Sequence, residues 1–113
     1  MTELMSRPAS QGLDPERRFT VRARLDGPLH VIEMSGELDV VSRTVAIDEC
    51  ASIDHRDVLV DLSGLTFMDC AGYGALVTAR TSLERRGGSL VLTSPAGQPQ
   101  RLIALIEQLE LAR

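Results

Sequence analysis

The stretch Asp57-Val58-Leu59-Val60-Asp61-Leu62-Ser63-Gly64-Leu65-Thr66-Phe67-Met68-Asp69-Cys70-Ala71-Gly72-Tyr73-Gly74 changes from one periodicity to another along its length. Val58, Leu59 and Val60 form an unbroken apolar run, bounded by Ser63-Gly64. That is the pattern of a central strand covered on both faces, as in parallel sheets. From Gly72 onward the spacing becomes helical: Gly72, Leu76, Ala79 and Leu83 recur at intervals of four, three and four, which places them on one helix face. Asp69 stands at the expected N-cap, and Gly87-Gly88 at the expected C-terminal stop.

Upstream, Ser42 is a plausible cap for a helix whose apolar stripe is Ala46, Ile47, Cys50 and Ile53, with Arg43, Asp48 and Glu49 facing outward. Before it, Phe19, Val21, Ala23 and Leu25 alternate with Thr20, Arg22 and Arg24, the two-residue period of a half-buried strand. Asp26-Gly27-Pro28 reads as a hairpin turn into Leu29–Ser35, and Gly36-Glu37-Leu38-Asp39 as a polar break. Downstream, Ser89–Thr93 reads as another strand. Pro99 suits the first turn of a last helix with Leu102, Ile103, Ile106 and Leu109 as its apolar side. The order is strand, strand, helix, strand, helix, strand, helix. Parallel neighbours need crossovers, so the pattern predicts an α/β fold: a small mixed sheet of four to five strands with helices packed mainly on one face.

Composition sets the outer limits. The chain has 113 residues, no Trp, one Tyr and two Phe, which allows one domain with an aliphatic core. Residues 1–18, with Pro8, Ser10, Gln11, Gly12, Asp14 and Pro15, show neither an apolar run nor a period. They are expected to be a disordered tail ahead of a domain at 19–113. No secretory or membrane-spanning stretch is evident, so a cytoplasmic protein without membrane insertion is expected. Formal net charge is −4, and the first 24 residues hold five arginines against three acids, so the remainder is the acidic part. An acidic body argues against nucleic-acid binding and favours a basic protein partner.

Cys50 and Cys70 form no Cys-x-x-Cys pair and have no His at ligand spacing, so neither a metal site nor a disulfide framework is expected. His30 falls in a strand and His55 in the loop before one. Gly72-x-Gly74 is too short for a nucleotide fingerprint, and no Gly-Lys-Ser/Thr loop is present. No cofactor is expected.

Gly36-Glu37-Leu38-Asp39, then Leu62-Ser63-Gly64-Leu65-Thr66-Phe67-Met68-Asp69, then Ala71-Gly72-Tyr73-Gly74 and Arg86-Gly87-Gly88 together resemble the STAS family. The likeness is to the bacterial anti-sigma factor antagonists in particular, and it covers Phe19 to about Leu111. The resemblance implies a non-enzymatic partner switch: the antagonist binds an anti-sigma factor that is also a serine kinase, and so frees a sigma factor. It also implies that the kinase phosphorylates a Ser or Thr at the start of the second helix, after which the antagonist lets go. The docking surface it implies comprises Gly36, Glu37, Asp39, Thr66, Met68, Asp69, Cys70, Ala71, Gly72 and Tyr73. An alternative in the same family is a subunit of a larger assembly, such as a lipid-transport ABC complex or a stress-signalling complex.

This sequence departs from that pattern at one point. The position corresponding to the phosphorylated residue is Cys70, followed by Ala71, and neither accepts phosphate as Ser or Thr does. Three readings of Cys70 stand side by side. It fills a serine-sized gap in a permanently competent antagonist; it is a redox handle on the docking surface; or it is a nucleophile. Positions 71–79 carry no Arg and no acid–base partner is evident, so the third has least to support it. Tyr73 is open between core filler and interface anchor.

Overall fold

The computed structural model describes residues 18–53 and 57–111. The expected tail, apart from Arg18, and His55 lie outside the described residues. The elements are β1 (Phe19–Asp26), β2 (Leu29–Leu38), α1 (Arg43–Ala51), β3 (Asp57–Met68), α2 (Cys70–Arg85), β4 (Ser89–Thr93) and α3 (Gly97–Leu111). Among the described residues the sheet has four strands in the order β1-β2-β3-β4. β1 and β2 form the antiparallel hairpin, with Asp26 opposite Leu29 across Gly27-Pro28. β2, β3 and β4 run parallel.

The helices lie over one face. Val21, Ile32, Met34, Val58, Val60, Leu62 and Leu90 join Val45, Ala46 and Cys50 of α1 and Leu76, Ala79 and Leu83 of α2 in one buried cluster. Between the buried positions of β3, Leu59 and Asp61 are only half-buried. This corrects the expectation of a strand covered on both faces. The continuous run Val58-Leu59-Val60 looks like a doubly covered strand, but Leu59 belongs to an open face, where an aliphatic residue is tolerated singly.

Two strands also run further than their sequence suggests. β2 continues through the polar Gly36–Leu38, and β3 crosses Ser63-Gly64 to reach Met68. Register shifts between Glu33 and Ser35, and between Gly36 and Glu37, absorb the irregularity, after which Glu37 pairs with Phe67 and Leu38 with Met68. The polar residues mark an open face, not a strand end. Gly36 has φ +95°, and a Cβ there would collide with the Arg18 carbonyl, so only glycine suits this bulge.

The helix ends follow local rules with one exception. α2 closes as a Schellman motif: the Gly88 N–H donates to Leu83 O and the Gly87 N–H to Glu84 O, both at 3.0 Å. Ser42 precedes α1 as expected, yet its side chain makes no capping bond to the helix. In α3, Ile103 is buried and Leu102 and Ile106 pack against the core, whereas Leu109 is exposed, so the apolar side is shorter than the spacing implied.

Gly72 sets the position of α2. A Cβ on it would collide with the carbonyl of Leu38, the last residue of β2. The same construction at Gly74 meets nothing within 4 Å. Gly72→Ala is therefore expected to destabilise the protein by about 1–3 kcal/mol through overpacking. Gly74→Ala, in the same helix, is expected to stabilise it by up to about 1 kcal/mol through helix propensity. Thermal melts of the two variants check this, with shifts of opposite sign expected.

Candidate functional site

Leu38 and Met68 are paired across β2 and β3, so the loop starting at Asp39 and the helix starting at Asp69 leave the sheet side by side. The Asp69 N–H donates to Leu38 O at 3.2 Å, which ties the two exits together. From below, Gln98 of α3 grips Met68 on both sides: its Oε1 accepts from the Met68 N–H and its Nε2 donates to Met68 O, each at 2.8 Å. Nothing in the spacing of the sequence pointed to Gln98.

Asp69 is the N-cap of α2. Its Oδ1 accepts from the Gly72 N–H at 2.8 Å, and its carbonyl takes the first helical bond, from Tyr73, at 3.0 Å. Cys70 comes next, exposed, with Ala71 half-buried behind it. Asp39 organises the neighbouring loop. Its Oδ1 accepts from the N–H of Val41 at 3.0 Å and of Ser42 at 3.1 Å. The Ser42 hydroxyl turns back to donate to Glu37 O at 2.8 Å and accepts from the Asp39 N–H at 3.0 Å, which is why it does not cap α1. Both carboxylates thus have structural work, and both remain partly exposed.

Desolvation pushes the Asp39 carboxyl up, but hydrogen bonds from the Ser42 and Val41 N–H groups and the Ser42 hydroxyl, aided by the charge of Arg18, hold it below its ordinary value. Glu37 extends the acidic edge and pairs with Arg18 at 3.2 Å, an exposed contact worth about 0–1 kcal/mol. Thr66 is exposed, and its hydroxyl donates to Gly36 O at 3.3 Å.

The ten residues of the expected docking surface therefore divide. Glu37, Asp39, Thr66, Asp69, Cys70 and Ala71 reach the surface, with Gly36 partly exposed on the strand bulge. Met68, Gly72 and Tyr73 are buried and cannot present side chains to a partner. Met68 and Tyr73 face inward because the pleat and the helix turn direct them beneath the tip, while Gly72 is pressed against Leu38. For Tyr73, 8% exposed, the filler reading fits its burial better than the anchor reading.

The structure adds three residues that the sequence did not single out. Val40 and Val41 in the Asp39–Ser42 loop are 63% and 66% exposed, and Phe67 at the end of β3 is 40% exposed. An apolar pair in a loop directly after Asp39 was the available signal. The ends of β2 and β3 thus carry acidic side chains, an exposed thiol and three exposed apolar side chains, residue types that protein-docking patches combine.

Cys50 lies in the core, where burial first, and then the charge of Glu49, pushes its thiol up to about 12. Both cysteines are free. Among the described residues no group of three or more His, Cys, Asp or Glu side chains could hold a metal ion, and no helix is long and apolar enough to cross a membrane.

The family description "STAS domain" matches residues 20–113. Among solved structures, an anti-sigma factor antagonist from Mycobacterium paratuberculosis aligns with a TM-score of 0.67 and 22% identity, over 82% of this chain and 81% of that one. The unphosphorylated anti-sigma factor antagonist SpoIIAA aligns with a TM-score of 0.60 and 20% identity, over 74% and 79%. A sulfate transporter family protein from Wolinella succinogenes aligns with a TM-score of 0.64 and 16% identity, over 78% and 74%. In the larger Mglu, at 14% identity, the match spans 20% of that chain. At these identities the likeness to solved structures is one of fold.

Two outcomes are expected from the site's geometry. The ionised form of Asp39 is the one the fold favours, so its stabilisation is present above the unfolded-state pKa of ~3.9 and is lost as pH falls through the lower folded value. Asp39→Ala should cost about 1–2 kcal/mol at pH 7, as loss of a cap does. In denaturant titrations the gap from wild type should close as the pH is lowered below that range. Separately, iodoacetamide at neutral pH should add one group to the native chain, on Cys70, and reach Cys50 only after unfolding. Mass spectrometry of the intact and digested protein reads both.

Proposed function

This chain belongs to the STAS domain family, and on that footing we propose that it is an anti-sigma factor antagonist. It binds an anti-sigma factor of the serine-kinase type and so regulates sigma-factor-dependent transcription. The observation that carries this reading is the exposed tip of α2 at Cys70, set beside the acidic residues Glu37, Asp39 and Asp69 and the exposed Val40, Val41 and Phe67. Such a surface suits a partner that offers arginines around an apolar patch. Two solved structures of similar fold are described as anti-sigma factor antagonists.

The mechanism is occupancy of a surface, without chemistry on a substrate. In a relative with Ser or Thr at this position, phosphorylation would add about −1.5 to −2 of charge next to two carboxylates and repel the partner. Cys70 removes that lever, and the chain stays competent to dock. The exposed thiol leaves a second means of control. Exchange with a small disulfide would join a thiol-derived group to Cys70, release the other half as a free thiol, and place bulk on the docking surface.

A second reading has its own support, because a structure of similar fold is described as a sulfate transporter family protein. In that case the domain serves as a subunit of a larger, membrane-associated assembly. A lipid-transport or stress-signalling complex would use it in the same way.

Calorimetric titration against purified serine-kinase anti-sigma factors distinguishes these readings. Wild type should bind one of them, and Cys70→Glu, which puts charge on an exposed position without disturbing the core, should weaken binding by more than about tenfold. Cys70→Ser should take up phosphate from ATP in the presence of that kinase. Failure of the wild-type chain to bind any such kinase would remove the proposal, and binding without phosphate uptake by Cys70→Ser would remove its kinase component.

A further inference from the structure

β4 ends at Thr93, opposite Asp61, and β3 continues to Met68. At that end β3 pairs with β2 on one side: Leu38 stands opposite Met68, and the Asp69 N–H donates to Leu38 O. The N–H and carbonyl of Met68 itself go to the side-chain amide of Gln98, both bonds at 2.8 Å. One donor and one acceptor on a planar amide are what the backbone of a neighbouring strand would offer. Gln98 thus stands in for a strand at the residue just before the cap of α2.

The chain turns sharply to bring Gln98 there. Ser94 has φ +62° and Gly97 φ +59°, and the left-handed conformation at Ser94, which carries a Cβ, is a cost that the surrounding structure outweighs. Pro99, next to Gln98, is fully buried, and Ile103, one turn further, joins the core. The amide is therefore presented from a seated first turn of α3. Met68 is 0% exposed. Without the amide, its N–H and carbonyl would be buried and unpaired, and reaching water would require the end of β3 to move. That movement would carry Asp69, whose Oδ1 holds the Gly72 N–H, and Cys70 beyond it.

We propose that Gln98 is a positioning residue for the docking tip of α2: it ties the placement of Asp69 and Cys70 to α3 and acts on the partner only through them. Both ends of its amide are engaged with Met68, so its contribution to docking is preorganisation. A tip that is already fixed loses less entropy when a partner meets it. The Asp39 loop is held separately, by the Ser42 hydroxyl and the Asp39 carboxylate. Loss of the amide should therefore be felt at Asp69 and Gly72 and spare Val41 and Ser42. That docking takes place at this tip is taken from the antagonist reading above, on which the inference rests; the amide's hold on Met68 does not depend on it.

Gln98→Met keeps the length of the side chain and removes both bonds. Hydrogen exchange followed by NMR reads the Asp69 and Gly72 amides, which bond to Leu38 O and Asp69 Oδ1 and not to Gln98. In the variant they should exchange more than about tenfold faster, with Val41 and Ser42 unchanged. Calorimetric titration against an anti-sigma factor that binds wild type should give more than about fivefold weaker binding, at a temperature where circular dichroism shows both chains folded. Gln98→Glu, whose ionised carboxylate cannot donate to Met68 O, should weaken binding as well. Gln100→Met, at an exposed position of the same helix, should not. A lower melting temperature with unchanged exchange at Asp69 and Gly72, or with unchanged affinity, overturns the proposal, because a purely structural role would do no more than that. Should Gln98→Met fail to fold, the same two measurements on Gln98→Glu decide. If wild type binds no anti-sigma factor, the antagonist reading falls, and exchange alone decides whether Gln98 fixes the tip.

Discussion

The carbonyl of Leu38 lies against the Cα of Gly72, where no side chain could stand, and the site depends on that contact. It seats the first turn of α2 on the end of β2, and so brings the loop after β2 beside the helix after β3. The Asp69 N–H then reaches Leu38 O, and the side chain of Gln98 fixes the preceding residue from the other side. Further down β2, Gly36 serves a related purpose: its left-handed conformation lets Arg18 approach and the strand bulge. The glycines of the two motifs thus explain why the motifs meet.

In the same region, the carboxylates proposed for docking also hold the backbone. Asp39 holds the N–H groups of Val41 and Ser42, and Asp69 holds that of Gly72. Each carboxylate has a second oxygen that neither of these bonds uses, and each is partly exposed. Their charge is therefore placed rigidly, which lowers the entropic cost of the docking proposed above. Cys70, next to Asp69, stands exposed, whereas Cys50 is sealed in the core with its thiol pushed to about 12. Two residues of the same type differ in availability because one lies on a helix face turned to the sheet and the other at a helix tip.

An aliphatic core covered by helices on one side leaves the rest of the sheet to be stabilised by other means. On the open face, Arg24 pairs with Glu33, and Ser63 N–H bonds Asp61 Oδ1 at 2.9 Å, which with the Ser63 hydroxyl holds the Asp61 carboxyl below its ordinary value. β1 carries charge along its length, but β4 carries none.

The order of elements, the N-cap at Asp69, the stop at Gly87-Gly88 and the buried stripe of α2 were all legible in the residues, because each rests on contacts within about a helical turn or on a fixed side-chain period. That the motif Gly36–Asp39 and the run around Asp69 belong together was legible only through a family resemblance, and the pairing of Leu38 with Met68 brings them side by side. The true lengths of β2 and β3 were not, since a bulge can carry a strand through polar residues and the open face makes those residues polar in any case. Nor could spacing show that Met68 and Tyr73 turn inward while Val40, Val41 and Phe67 turn outward. The sequence by itself determined the alternation of strand and helix and the residue types available at each turn, since both depend on local periodicity and backbone preference. Only the tertiary structure decided which face of the sheet is covered and which side chains share the tip of α2. Those depend on close approaches between residues some thirty positions apart, such as Leu38 with Gly72 and Met68 with Gln98, and no local period encodes such distances.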